Sequence, residues 1–164
     1  MFKKLSNFIG YVIKKLGFLS SFFIIILIIL VSASVILRYV FSIGFIWLQD
    51  LYIWAHAFFI LLGIAYTLKS DQHVRIDLIY RELPEKKKKK INFLGSVFFG
   101  LPFCFILITV GFEYFYRSFD LNEGSKESGG LENIFILKFF IFFLGFLLFL
   151  ELTRQILKFI NKND

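Results

Sequence analysis

The side chains of this chain that could do chemistry are few, and most stand inside or beside long oily runs. His56 interrupts the otherwise uncharged stretch Leu51 to Leu68. It shares an approximate helical face with Asp50, Trp54, Ala57 and Leu61. An ionisable group at membrane depth costs about 2.5 to 3.5 kcal/mol on insertion scales, so it needs a partner or a task. A hydrogen-bonded packing histidine is the expectation here, ahead of a proton relay. His73, Arg75 and Asp77 alternate in a polar segment, where one imidazole and one carboxylate make too few ligands for zinc. Arg38 and Asp50 flank a short turn and are placed to pair. Glu113 precedes Arg117 by four residues, the favourable acid-first helical spacing. Lys138 and Glu151 bound a third-party problem: separated by 13 residues, they lie about 20 Å apart along a helix and must each find other partners.

These groups do not assemble into a catalytic set. An enzyme would gather acids or histidines at one depth, an independent channel would run a polar stripe through a span, and a heme anchor would face two histidines across a bundle; His56 is the lone intramembrane histidine. The single Cys104 offers neither a disulfide framework nor a thiolate metal cluster. The expectation is therefore no enzyme, no metal and no cofactor, with a small four-helix channel or a heme-binding anchor as the alternatives.

The elements that carry these residues follow from the hydrophobic pattern. The sequence is 58% hydrophobic and 21% aromatic, with 25 Phe in 164 residues, more apolar surface than a soluble domain of this size can bury. A hydrocarbon core about 30 Å thick takes roughly 20 helical residues to cross. Leu16 to Leu37 and Ile91 to Phe112 are uncharged throughout, and Leu51 to Leu68 carries only His56. Phe139 to Leu150 is shorter and spans only if extended through Lys138 and Glu151, whose charges must snorkel or pair. The expected fold is an all-α integral membrane protein with spans at 16–40, 47–69, 91–116 and 133–159. Ahead of them, Phe2, Leu5, Phe8, Ile9, Val12, Ile13 and Leu16 form one apolar stripe, which predicts an interfacial amphipathic helix over 1–15 with Gly17 redirecting the chain. The first apolar run is too long for a typical signal core and no A-x-A-like site follows it, so a cleaved signal peptide is not expected.

The net charge of +7 is distributed by loop. With both termini inside, the cytoplasmic side receives fifteen of the 19 basic residues, including Lys3, Lys4, Lys14, Lys15 and the run Lys86 to Lys90. The outer side keeps only Arg38, Arg117, Lys126 and Lys138, with Asp50, Glu113, Asp120, Glu123, Glu127 and Glu132, as the positive-inside rule requires of an N-in, C-in chain. Lys3, Lys4, Lys14, Lys15 and Lys86, Lys87, Lys88, Lys89 and Lys90 are expected to touch lipid headgroups of membrane phospholipid. No aromatic residues interleave the five lysines, so no nucleic acid is expected. A polar arm at 70–90 and an outer loop at 117–132 connect the spans, the latter rich in Gly, Ser and acids and long enough to offer a partner surface. Tyr39, Trp47, Tyr52, Trp54, Tyr114 and Tyr116 fall near the outer boundary, where amphipathic rings prefer the headgroup level.

Four segments taken together resemble the small membrane subunit of TRAP transporters, the tripartite ATP-independent periplasmic carriers. They are Arg38-Tyr39-Val40-Phe41, Trp47-Leu48-Gln49-Asp50-Leu51, Leu62-Gly63-Ile64-Ala65-Tyr66-Thr67-Leu68-Lys69 and His73-Val74-Arg75-Ile76-Asp77. Many members carry paired glutamates where this chain has Gln49-Asp50, so Asp50 alone keeps the charge. The stretch from Gly124 to Leu131, followed by Leu137-Lys138, is similar to a branch whose outer loop reads G-S-x-E-x-G-G-L-P, with Glu132 here in place of the proline. The resemblance implies a multi-pass protein of the bacterial inner membrane that braces a large permease subunit. That large subunit moves substrate and sodium by an elevator motion, in symport, and a periplasmic substrate-binding protein delivers an organic acid. On this reading Arg38, Trp47, Asp50, Trp54, His73, Arg75 and Asp77 are candidate partner contacts. In the outer loop and the last span, so are Glu123, Glu127, Gly129, Gly130 and Lys138.

Overall fold

A computed structural model of the chain describes residues 2–73, 80 and 82–160. Its helices are α1 (Phe2–Val40), α2 (Ile46–Lys69), α3 (Glu85–Gly95), α4 (Leu101–Asp120) and α5 (Phe135–Ile160), with one π-helical turn, Ser96–Gly100, between α3 and α4. No strand occurs among the described residues. Four helical stretches are long and apolar enough to cross a membrane: Lys4–Val40, Ile46–Lys69, Glu85–Asp120 and Phe135–Ile160. The all-helical, four-span expectation holds. Backbone polar groups in lipid have to be satisfied within the segment, which is why runs this oily become helices.

The third stretch is one rod made of α3, the π turn and α4. Pro102, in the first turn of α4, has no N–H to return to the carbonyl four residues back. The wider π register immediately before it accommodates that missing bond without breaking the rod. Pro84, extended at φ −64° and ψ 149°, precedes the first residue of α3.

The N-terminal segment corrects one expectation. Gly17 does not redirect the chain; α1 runs unbroken for 39 residues, about 58 Å at 1.5 Å per residue. The reason is packing. A Cβ at Gly17 would lie 2.4 Å from Cγ of Tyr66, so the glycine is there to let α2 approach α1 closely. The apolar stripe ahead of it is also claimed by protein: Ile13 is 1% exposed, and Ile9 and Leu16 pack on the same cluster, while Leu5 and Phe8 stay exposed.

The helices pair as two hairpins, α1 with α2 and α4 with α5, joined chiefly by α2 against α5. Between α4 and α5 the approach is close in both directions. A Cβ at Gly111 would meet the Phe142 backbone at 3.1 Å, and one at Gly145 would meet Leu107 Cβ at 2.9 Å. Small residues at such crossings let helices gain dispersion contacts where lipid offers no hydrophobic drive. Phenylalanines fill the remaining seams. Phe112 meets Phe142, Phe115 meets Phe139 and Phe119 meets Phe135 along the α4/α5 hairpin. Phe58, with ring centroids 4.5 Å from Phe140 and 5.3 Å from Phe23, ties α2 to both α5 and α1. The fully covered core, including Leu62, Ala65, Cys104, Leu147 and Leu152, sits where the hairpins meet.

Candidate functional site

Polar side chains gather at the two ends of this bundle. At the end carrying the loop between α4 and α5, Asp50, one turn into α2, accepts a hydrogen bond from the Leu131 backbone N–H at 2.8 Å. The loop is shaped to deliver that N–H. Ser125 N–H donates to Leu131 O at 2.8 Å and Ile134 N–H to Glu123 O at 2.9 Å, folding residues 123–134 back on themselves. Asn122 and Asn133 take left-handed backbone conformations at the two ends of this fold, and Gly129 supplies a third at φ 83°. Gly130 has no room for a side chain, since a Cβ would lie 2.4 Å from Asp50 Oδ2.

Beside it, the nearly buried Lys138 pairs with Glu123, and its Nζ lies 4.1 Å from the centroid of the Tyr114 ring. Lys138 thereby ties the start of α5 to the loop and to α4, a charge-assisted bond with a cation–π contact behind it. The Lys138 hydrogen bond holds the Glu123 carboxyl below its ordinary range.

The opposite end has its own tie. Glu151 is fully buried and pairs with Arg154 one turn on, whose Nε donates to Glu151 Oε2 at 2.7 Å. Gln155 donates to Glu151 Oε1 at 2.9 Å and to Leu68 O at 3.3 Å, so α5 grips the last turn of α2. Lys69 reaches across to donate to the Gly10 carbonyl, fastening α2 to α1. Three of the four long helical stretches, those of α1, α2 and α5, are thus linked at this end by polar bonds within a mostly apolar fold.

The residues singled out from sequence divide into those the fold consumes and those it leaves outside. Asp50, Gly130, Glu123 and Lys138 are structural ties. Asp50 is not paired with Arg38 as expected; it bonds the Leu131 N–H instead, and Arg38 is exposed. Glu113 and Arg117 do pair, on an exposed face. Trp54 is half-buried against Phe58, and Trp47 is exposed beside Phe45. Glu127, Gly129 and His73 are exposed. Arg75 and Asp77 lie outside the described residues, as does the side chain of Lys3. His56 departs from expectation: it is exposed, lining a groove with Tyr52, Ser32 and Leu27 between α1 and α2, and among the described residues no hydrogen bond holds it. Lys4, Lys14, Lys15, Lys86, Lys87, Lys89 and Lys90 are exposed; Lys88 is partly covered, paired with Glu85. The tie of Glu151, Arg154 and Gln155 was legible only in part: the three-residue acid-to-base step is a helical pairing signal, but its grip on Leu68 runs through a backbone carbonyl.

What this arrangement offers is a polytopic helical membrane protein whose polar groups are spent on internal fastening and whose long helix faces remain apolar and open. Among the described residues no three His, Cys, Asp or Glu side chains come together as a metal site. The family of tripartite ATP-independent periplasmic transporters, DctQ component, matches residues 27–161, and the chain belongs to it. It is the small membrane component of a TRAP transporter. No curated protein matches the chain.

Proposed function

We propose that this chain braces the large permease subunit of a sodium-coupled TRAP carrier for organic acids in the bacterial inner membrane, with both its ends in the cytoplasm. The observation that supports this best is the double fastening: Asp50 to the outer loop at one end, and Glu151, Arg154, Gln155 and Lys69 at the other, hold two hairpins as one body. Such a body does not offer the broken helices or polar midplane of a transport path. It does offer grip. Ile25, Ile28, Ile29, Val35 and Ile36 of α1 and Phe98, Phe99, Phe105 and Val110 of the third rod stand exposed. Sodium coupling and an organic-acid cargo enter with the family resemblance and belong to the large subunit.

At the outer face the folded loop presents Glu127 and Gly129 toward the periplasm, a surface fit for docking the substrate-binding protein, with Arg38 and Trp47 nearby on the adjoining hairpin end. At the inner face the exposed lysines contact phospholipid headgroups. The experiment is reconstitution of the large subunit with and without this chain. Sodium-driven uptake and recovery of intact large subunit are expected to fall severalfold in its absence; undiminished uptake would contradict the bracing role.

A further inference from the structure

The lysine run is not one uniform patch. Helical spacing splits it: Lys88 turns to Glu85 and lies 5.8 Å from the centroid of the Tyr80 ring, whereas Lys86, Lys89 and Lys90 line a cleft of about 960 Å³ between α3 and the end of α5. From the far wall Lys158 joins them. Four lysines thus line one cleft, with no carboxylate among the lining residues. Phe93 and Phe159, ring centroids 4.6 Å apart and stacked, join the two walls. Leu94 and Ile156 extend an apolar lining along the rods, and Ser96 and Gln155 add polar atoms beneath the lysines.

We infer that this cleft is a binding site for one anionic phospholipid, its phosphate held among Lys86, Lys89, Lys90 and Lys158 and its acyl chains laid along the apolar lining. Four lysines lining one cleft without an acid favour an anionic over a zwitterionic lipid, since each basic side chain near the surface adds attraction for anionic headgroups. The apolar half excludes free phosphate, which has no use for phenylalanine walls. The position fits as well, since the cleft opens where two membrane-crossing rods end and headgroups lie. The site deepens the headgroup contact proposed above and rests on the lysine-bearing ends facing the cytoplasm. Bound there, the lipid completes the joint between α3 and α5, whose other contacts are few.

The test uses the full chain, purified and delipidated in detergent, with phosphatidylglycerol, phosphatidylcholine and inorganic phosphate as probes and native mass spectrometry as readout. Phosphatidylglycerol is expected to bind one per chain, phosphatidylcholine weakly, and phosphate at millimolar concentration is expected not to displace it. K89Q/K158Q lowers the affinity by about thirtyfold, taking roughly fivefold per lysine near an anionic group. R117Q/K126Q, which removes equal charge from exposed positions at the opposite end of the bundle, leaves it unchanged. Equal loss in both variants, equal binding of phosphatidylcholine, or displacement by phosphate would overturn the site. So would a photo-crosslinker at position 89 that, in the assembled carrier, captures an acidic segment of the large subunit in place of lipid. Sidedness is read separately: an impermeant maleimide that labels K87C in a C104S background from outside would overturn the topology, whereas lipid binding in detergent does not depend on it.

Discussion

At the scale of single residues, the fold turns on charges that have been taken out of water and given partners inside the protein. Glu151 is the extreme case, with no exposed surface and both carboxylate oxygens engaged by Arg154 and Gln155. Removing one member of such a pair strands the other, which costs about 3 to 5 kcal/mol, while replacing both with apolar residues of similar size is often neutral. E151Q is therefore expected to lower thermal stability in detergent sharply, and E151M/R154M to recover most of it. A double variant no better than the single one would mean that the pair's geometry, and not its charge balance, holds α5 in place. The same logic explains why Lys138 is tolerated at the head of an otherwise oily helix: Glu123 and Tyr114 meet it there.

At the scale of elements, glycine decides how near the rods come. Gly145 faces Leu107 and Ile108 of α4 with no space for a methyl group. G145L overpacks this crossing and is expected to cost about 1 to 3 kcal/mol, the usual penalty for inserting methylenes into a filled core. Cys104, 1% exposed on the same face, reports the outcome: it should react with a maleimide faster in G145L than in the parent. Unchanged reactivity would show that α4 and α5 do not need this contact. Much of the element layer was readable beforehand, because uncharged runs of 22, 18 and 22 residues can only be helices in lipid. Gly17 was misread for a physical reason. A glycine that lets a chain turn and a glycine that lets a tyrosine approach look identical in sequence, and only the distant Tyr66 separates them. The site was less legible than the spans. Glu113 with Arg117 lies at helical spacing and was predicted, but Asp50 bonds a backbone N–H 81 residues away, and Lys138 meets Glu123 through a loop whose shape depends on left-handed asparagines. His56 was expected inside because the cost of a polar group in lipid was weighed without knowing that its face is one the bundle leaves open.

At the scale of the whole molecule, two hairpins fastened at both ends form a body with broad apolar flanks, and membership of the DctQ component family sets that body within a TRAP transporter. A brace keeps its shape while its partner moves; a moving part does not. Gly44, in the exposed turn between α1 and α2, and Glu127, exposed in the loop between α4 and α5, sit on different hairpins and accept spin labels without meeting other atoms at Gly44. The distance distribution between labels at G44C and E127C, in a C104S background and in the assembled carrier, tests the bracing role most directly. It is predicted to stay single and unshifted when sodium and substrate are added. A second population appearing under transport conditions would show the hairpins moving against each other and would contradict the account.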